Sequence, residues 1–227
     1  MVKTKDYYTS QKSEFFTQFD GFCERVGALI EEKYGKKFKN DVMGEIKRGF
    51  ELIFDEIPYI GGDDNFLTMD LVSAAQDLAL YQVLKRHDKP VEEIGEIAYQ
   101  ESEQYLRDNA DLIPPMTHPK YVFYIEMAAK ESLKRKYPGD WAYKFIPPEG
   151  ENDYGLDFVE CGIQKLFHDH DADEFTPYLC AMDIPMSECG NLGLHRTQTL
   201  AEGSDLCDFR YKGGRETEVA STVIKKG

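Results

Sequence analysis

The spacing of apolar residues changes once along this chain, and that change limits the folds open to it. As far as Tyr137, apolar side chains recur every three or four residues, the period of helices buried on one side. Phe15, Phe19, Phe22, Val26 and Ile30 form one stripe, and Val42, Ile46, Phe50 and Phe54 a second that must stop before Pro58. The connector IPYIGGDDN is a breaker cluster, with Gly61 and Gly62 free to take backbone angles other residues resist. Thr68 or Asp70 is expected to cap a third helix through Leu84, presenting Leu71, Ala74, Leu78, Tyr81 and Val83 for packing. A fourth helix is expected over about Pro90–Arg107, and a fifth over His118–Lys136.

Pro138 and Gly139 end this regime. Trp141–Ile146, Tyr154–Cys161, Leu192–Leu200 and Leu206–Lys212 are rich in aromatic and β-branched residues and read as strands. Between the second and third lie a short segment, Gly162–His168, and an expected helix over Asp173–Cys189. The fold class is therefore α+β: a helical N-terminal region followed by a small, mainly antiparallel sheet with a covering helix. The expected division is 1–137 helical, 138–213 Cys-rich α+β with the candidate site, and 214–227 a tail, either an edge segment or disordered. The first two regions are compatible with one domain.

Composition narrows the function. A net charge of −15 opposes nucleic acid and anionic membrane surfaces, because both need concentrated Lys and Arg. No apolar run approaches the ~18 residues of a spanning helix. The N-terminus is polar and charged, without the apolar core of a secretory signal. Five cysteines cannot all pair internally, so free thiols in a reducing cytoplasm are expected. The remaining partner class is a small-molecule substrate.

Asp157–Arg210 holds four of the five cysteines and three of the five histidines. Alternation puts Asp157, Val159 and Cys161 on one strand face, with Leu156, Phe158 and Glu160 on the other. In the last strand Cys207 shares a face with Phe209 and Tyr211, opposite Asp208 and Arg210; in the third, His195, Thr197 and Thr199 oppose Arg196 and Gln198. Thr176, Cys180 and Asp183 line one side of the covering helix. A pocket between sheet and helix could thus collect Cys161, Cys180, Asp183 and Cys207. There a thiolate, its pKa lowered by Arg196 or His195, would be a nucleophile and Asp183 a proton shuttle. Arg196 or Arg210 could hold a substrate carboxylate bidentately. Against this stand plainer readings: buried cysteines as small hydrophobes, and an Asp208–Arg210 ion pair. HDHDADE (His168–Glu174) lacks Cys-x-x-Cys or His-Glu-x-x-His spacing, so no metal or other cofactor is expected; Asp171 or Asp173 would cap the next helix.

The motifs resemble those of the L-2-amino-thiazoline-4-carboxylic acid hydrolase family. The resemblance rests on IPYIGG (Ile57–Gly62) with Asn65 and Leu67-Thr68, DFVECGIQKLF (Asp157–Phe167), PYLCAMD (Pro177–Asp183) and RTQTLAEGSDLCDFR (Arg196–Arg210). It runs from about residue 45 to 212, and its C-terminal blocks are the more specific; Ser204 stands where a second glycine is expected. The resemblance implies a hydrolase acting on carbon–nitrogen bonds other than peptide bonds, opening a thiazoline ring toward a carbamoyl-cysteine. Catalysis would fall to Cys207, Cys161 or Cys180 with Asp183, and substrate binding to Arg196, Arg210, Thr199 and His195. Cys207 is favoured because it lies in the most specific block and beside Asp208. The alternative is a non-enzymatic small-molecule or metal/thiol-reactive sensor, suggested by more thiols than one nucleophile requires.

Overall fold

The structure, a computed structural model, describes residues 4–223. Helices come first: α1 (Thr4–Ser10), α2 (Lys12–Tyr34), α3 (Lys36–Phe54), α4 (Thr68–Arg86), α5 (Val91–Asp108) and α6 (Pro119–Ser132). The two N-terminal stripes are buried as their spacing requires, and the Phe19 and Phe50 rings meet at 4.0 Å between centroids. Each such large apolar side chain taken fully from water contributes about 1.5–3 kcal/mol. α4 is apolar on nearly every side and packs against α3, α5 and α7 (Gly162–Asp169), so it is the central helix. No described helix is long and apolar enough to cross a membrane.

The glycine connector carries the chain from α3 to α4. Gly61 and Gly62 have φ of 133° and 62°, in the left-handed region that favours glycine. The Asn65 side chain donates to the Ile60 carbonyl at 2.9 Å and to Asp140 Oδ1 at 3.0 Å, tying this connector to the segment that starts the sheet.

The sheet contains β1 (Ala142–Ile146), β2 (Tyr154–Glu160), β3 (His195–Arg196), β4 (Cys207–Tyr211) and β5 (Glu218–Val219) in the order β1-β2-β4-β3-β5. All its pairs are antiparallel except β3 with β5. The fold is α+β, with Tyr143, Tyr154, Leu156 and Tyr211 of the sheet in one continuous core with the helices. Part of the C-terminal tail supplies the parallel edge strand β5; residues 224–227 lie outside the described residues.

Several elements differ from the sequence reading, each for a local reason. The covering helix is broken into α8 (Thr176–Ala181) and α9 (Asp183–Cys189), after a single 3₁₀ turn at Asp173–Phe175. Pro185 explains the break: it has no N–H to reach the Ala181 carbonyl, and its ring would crowd that oxygen. The short segment after β2 is the helix α7. The third strand shrinks to two residues because Asp208 intercepts the chain, its carboxylate accepting from Thr197 N (2.8 Å), Thr197 Oγ1 (2.6 Å) and Gln198 N (2.9 Å). α6 stops at Ser132, not Lys136, and Arg135 beyond it has a φ of 49°. Neither Thr68 nor Asp70 caps α4: the cap position is Leu67, and the Thr68 hydroxyl donates to the Gly62 carbonyl.

The contact between α5 and α8 is tight enough to test. A Cβ added to Gly95 would lie 1.9 Å from Tyr178 Cδ1. Gly95→Ala should therefore cost about 1–3 kcal/mol in urea unfolding. An unchanged midpoint would mean that α8 does not seat on α5 in this way.

Candidate active site

Register decides which sheet residues face the helices. Tyr154, Leu156 and Phe158 stand opposite Tyr211, Phe209 and Cys207, and Phe145 and Tyr143 continue the row on β1. These residues make the inner face. His195 pairs with Arg210 on the outer face, so its neighbour Arg196 turns inward. Simple alternation would put Cys161 outward with Asp157. A β-bulge prevents this: Tyr143 pairs with Phe158 but Ala142 with Glu160, leaving Val159 as an extra residue. The extra residue turns Cys161 to the inner side, within electrostatic reach of Cys180 and Cys207.

Arg196 is the buried centre of the site, with 2 % of its surface exposed. Nη1 donates to Asp183 Oδ2, Nη2 donates to the Cys180 carbonyl at 3.0 Å, and the guanidinium lies 5.2 Å from the Phe209 ring centroid. Its Nε has no partner among the described residues. The break before α9 makes Asp183 the first residue of that helix, where an acid also meets the positive end of the helix dipole. Burial raises the Asp183 pKa above the ordinary aspartate value and Arg196 pulls it back, leaving a net rise. Such a pair adds little net stability, but losing one partner strands the other charge.

Three thiols surround this pair, and burial raises the pKa of each. Cys207 is pushed up to about 12, although its sulfur accepts from the Leu200 N–H at 3.2 Å. Cys180 is pushed up further, with Cys161 and Asp183 adding to the rise. Cys161 differs in kind. It occupies the N-cap of α7, where the Gln164 and Ile163 amides oppose the rise that burial causes without cancelling it. The following Gly162 is dictated by packing: a Cβ there would lie 2.6 Å from the Trp141 ring and 2.8 Å from the Gly139 carbonyl.

Asp70, in the first turn of α4, faces the same space. It has exposed surface, yet lost hydration raises its pKa to about 7, and the charge of Asp183 adds to the rise. Among the described residues it has no hydrogen bond or ion pair. Tyr121 of α6 is within reach of the Asp70 charge, and Tyr211 within reach of Asp183 and Arg196. The Tyr154 hydroxyl, on the inner face and wholly buried, has no hydrogen-bond partner among the described residues. The inner face and the helix starts thus gather aromatic rings, two carboxylates, one guanidinium and three thiols.

A family model described as L-2-amino-thiazoline-4-carboxylic acid hydrolase matches residues 71–211. The chain belongs to this family. Comparison with curated proteins gives no match.

Much of the hydrolase family's motif content in this chain is architectural. In RTQTLAEGSDLCDFR, Thr199 is fully buried and caps the turn Leu200–Glu202: its hydroxyl oxygen accepts from Glu202 N at 3.2 Å and its O–H donates to Glu202 Oε2 at 2.9 Å. Gly203 closes that turn with a φ of 87°. Arg210 lies on the outer face and donates to Asp157 Oδ1 at 2.8 Å; its expected pairing with Asp208 is not made. His195, also outward, pairs with Glu218 at 3.2 Å. The structure therefore gathers Cys161, Cys180, Cys207, Asp183 and Arg196, turns Arg210 and His195 to the opposite face, and engages the Thr199 hydroxyl with Glu202. In the acidic run, His168 meets Asp173 at the surface and His170 meets Glu56. Among the described residues, no group of three or more His, Cys, Asp or Glu side chains is arranged to hold a metal.

Asp70, Tyr121, Tyr154 and Tyr211 join the recess without having been singled out by sequence. The two strand tyrosines were legible through alternation with Cys207; Asp70 was read only as a possible helix cap. Its raised pKa has a consequence for stability. The folded chain holds this proton more tightly than the unfolded chain, so stability falls as pH rises through the window between roughly 4 and 7. Asp70→Asn should leave the melting temperature nearly unchanged at about pH 4 and raise it at about pH 8. Equal shifts at both pH values in thermal melts would contradict the placement of Asp70.

Proposed function

We propose that the recess hydrolyses a small cyclic amidine whose carbon bears nitrogen and sulfur, opening a thiazoline ring toward a carbamoyl-cysteine. The supporting observation is Cys161 at the N-cap of α7, within electrostatic reach of Asp183 and inside the segment matched by the family. A sulfur at a helix N-terminus, with two backbone amides directed at it, is suited to bear thiolate character during a reaction. Cys207 has one such amide, that of Leu200, and Cys180 has none among the causes acting on it. Cys161 is accordingly preferred to Cys207 as nucleophile.

In this scheme Asp183 takes the Cys161 proton as the sulfur adds to the amidine carbon, and the C=N electron pair moves to nitrogen. The bond from that carbon to the ring sulfur then breaks, and the departing sulfur receives the proton from Asp183. Exchange of one carbon–sulfur bond for another leaves an isothiourea on Cys161. Water, deprotonated by Asp183, adds to the same carbon, and Cys161 departs with the proton to leave a urea. The net change is addition of one water. Arg196, whose terminal nitrogens are occupied by Asp183 and the Cys180 carbonyl, is a positioning residue for Asp183 and not a clamp for a substrate carboxylate.

Mass spectrometry of mixtures with L-2-amino-thiazoline-4-carboxylate tests this assignment. Cys161→Ser should lower turnover by about a thousandfold or more, and Asp183→Asn by about a hundredfold, with both variants folded. Cys207→Ser should stay within about tenfold of the parent. A folded, fully active Cys161→Ser protein would remove that thiol from the reaction.

A further inference from the structure

The helix α6 is apolar but poorly covered. Of its 14 residues only Ile125 and Ala129 are buried, whereas Phe123 is 64 % exposed. Leu133, which follows the last turn in helical backbone geometry, is exposed as well. Phe123, Glu126, Lys130 and Leu133 are spaced by three, four and three residues, so they form one stripe along the helix. Between this stripe and the β1–β2 hairpin runs an open groove of about 1050 Å³, whose other wall includes Phe145, Pro147 and Pro148. The support is firm: the Ser132 hydroxyl accepts from Tyr143 N at 3.1 Å and donates to the Tyr143 carbonyl at 3.2 Å, fixing α6 on β1. An exposed apolar surface rimmed by charge marks an interaction site.

Charge identifies the partner. The groove is lined by Lys130, Lys144 and Lys212 against Glu126, Glu151 and Asp153, so it is neutral within a chain of net charge −15. Two copies of so acidic a chain can approach here with the least repulsion. The stripe is also its own complement. Turned end for end about a twofold axis level with Ala128, Phe123 of one copy falls opposite Leu133 of the other, and Glu126 opposite Lys130. A parallel arrangement in register would instead set Glu126 on Glu126 and Lys130 on Lys130. Within one chain Glu126 and Lys130 pair at 2.6 Å while both side chains stay partly exposed, so the two pairs can meet across the axis as one four-charge cluster. Self-complementarity of this kind is what a twofold contact requires. We infer that this face of α6 is a dimer interface, on which a second copy of the chain packs antiparallel about an axis near Ala128. The apolar ends bury surface, and the central charges fix direction and register.

Sedimentation equilibrium of the full chain tests this, with circular dichroism to show that each variant is folded. The parent should dimerise, and Phe123→Ser should weaken the dimer by about tenfold or more. Lys130→Glu alone and Glu126→Lys alone should each weaken it by about tenfold or more, because like charges then meet twice across the axis. An equimolar mixture of these two variants should recover the dimer, since one chain then carries two acids on the stripe and the other two bases. A parent that stays monomeric at about 1 mM would overturn the inference. So would a dimer that none of the three substitutions weakens, or a mixture that dimerises no better than its components.

Discussion

The Arg196–Asp183 pair is the constraint from which the site is organised. A guanidinium this deeply buried must be neutralised and hydrogen-bonded, or it would not remain charged there. Asp183 meets that need, and the chain is arranged to deliver it. Pro185 breaks the covering helix so that Asp183 begins α9, and the two-residue strand β3 turns Arg196 inward. The Cys180 carbonyl then fixes the second terminal nitrogen, and Phe209 covers the guanidinium from the sheet. Position and charge are set by the same few contacts.

The helical region supplies one side of the recess as well as a core. α4 is buried on most of its surface, and its first turn brings Asp70 within electrostatic reach of Asp183. The connector before it is bound to the start of the sheet through Asn65 and Asp140. Asp70 therefore sits on a rigid element and not on a free loop. Tyr121 of α6 closes the same space from another direction. The carboxylates are perturbed unequally: burial and Asp183 leave Asp70 with a pKa of about 7, while Arg196 partly offsets the rise at Asp183. Two acids pushed apart in this way are suited to different tasks at one pH.

Helices were the most legible part of the sequence, because a one-sided apolar stripe leaves few alternatives. Phe15 to Ile30 and Val42 to Phe54 fall where their spacing puts them. The sheet's inner row was also legible in part, since Cys207, Phe209 and Tyr211 do share a face. Alternation failed at Cys161 because the bulge at Val159 depends on pairing with β1, which no local pattern records. Arg210 and Arg196 looked alike as strand arginines; only register separates the outer one, paired with Asp157, from the inner one. Asp70 was obscured by its position, because an acid in a first helical turn is ordinarily explained by capping.

The central claim is that ligand is held between the inner sheet face and the starts of α4, α7 and α9. A crystal structure of the Cys161→Ser variant soaked with L-2-amino-thiazoline-4-carboxylate tests it most directly. The account predicts the ring on the inner sheet face, its amidine carbon facing residue 161 and close to Asp183. Density instead in the outer groove beside α6, which Phe123, Lys130 and Lys144 line, would contradict it.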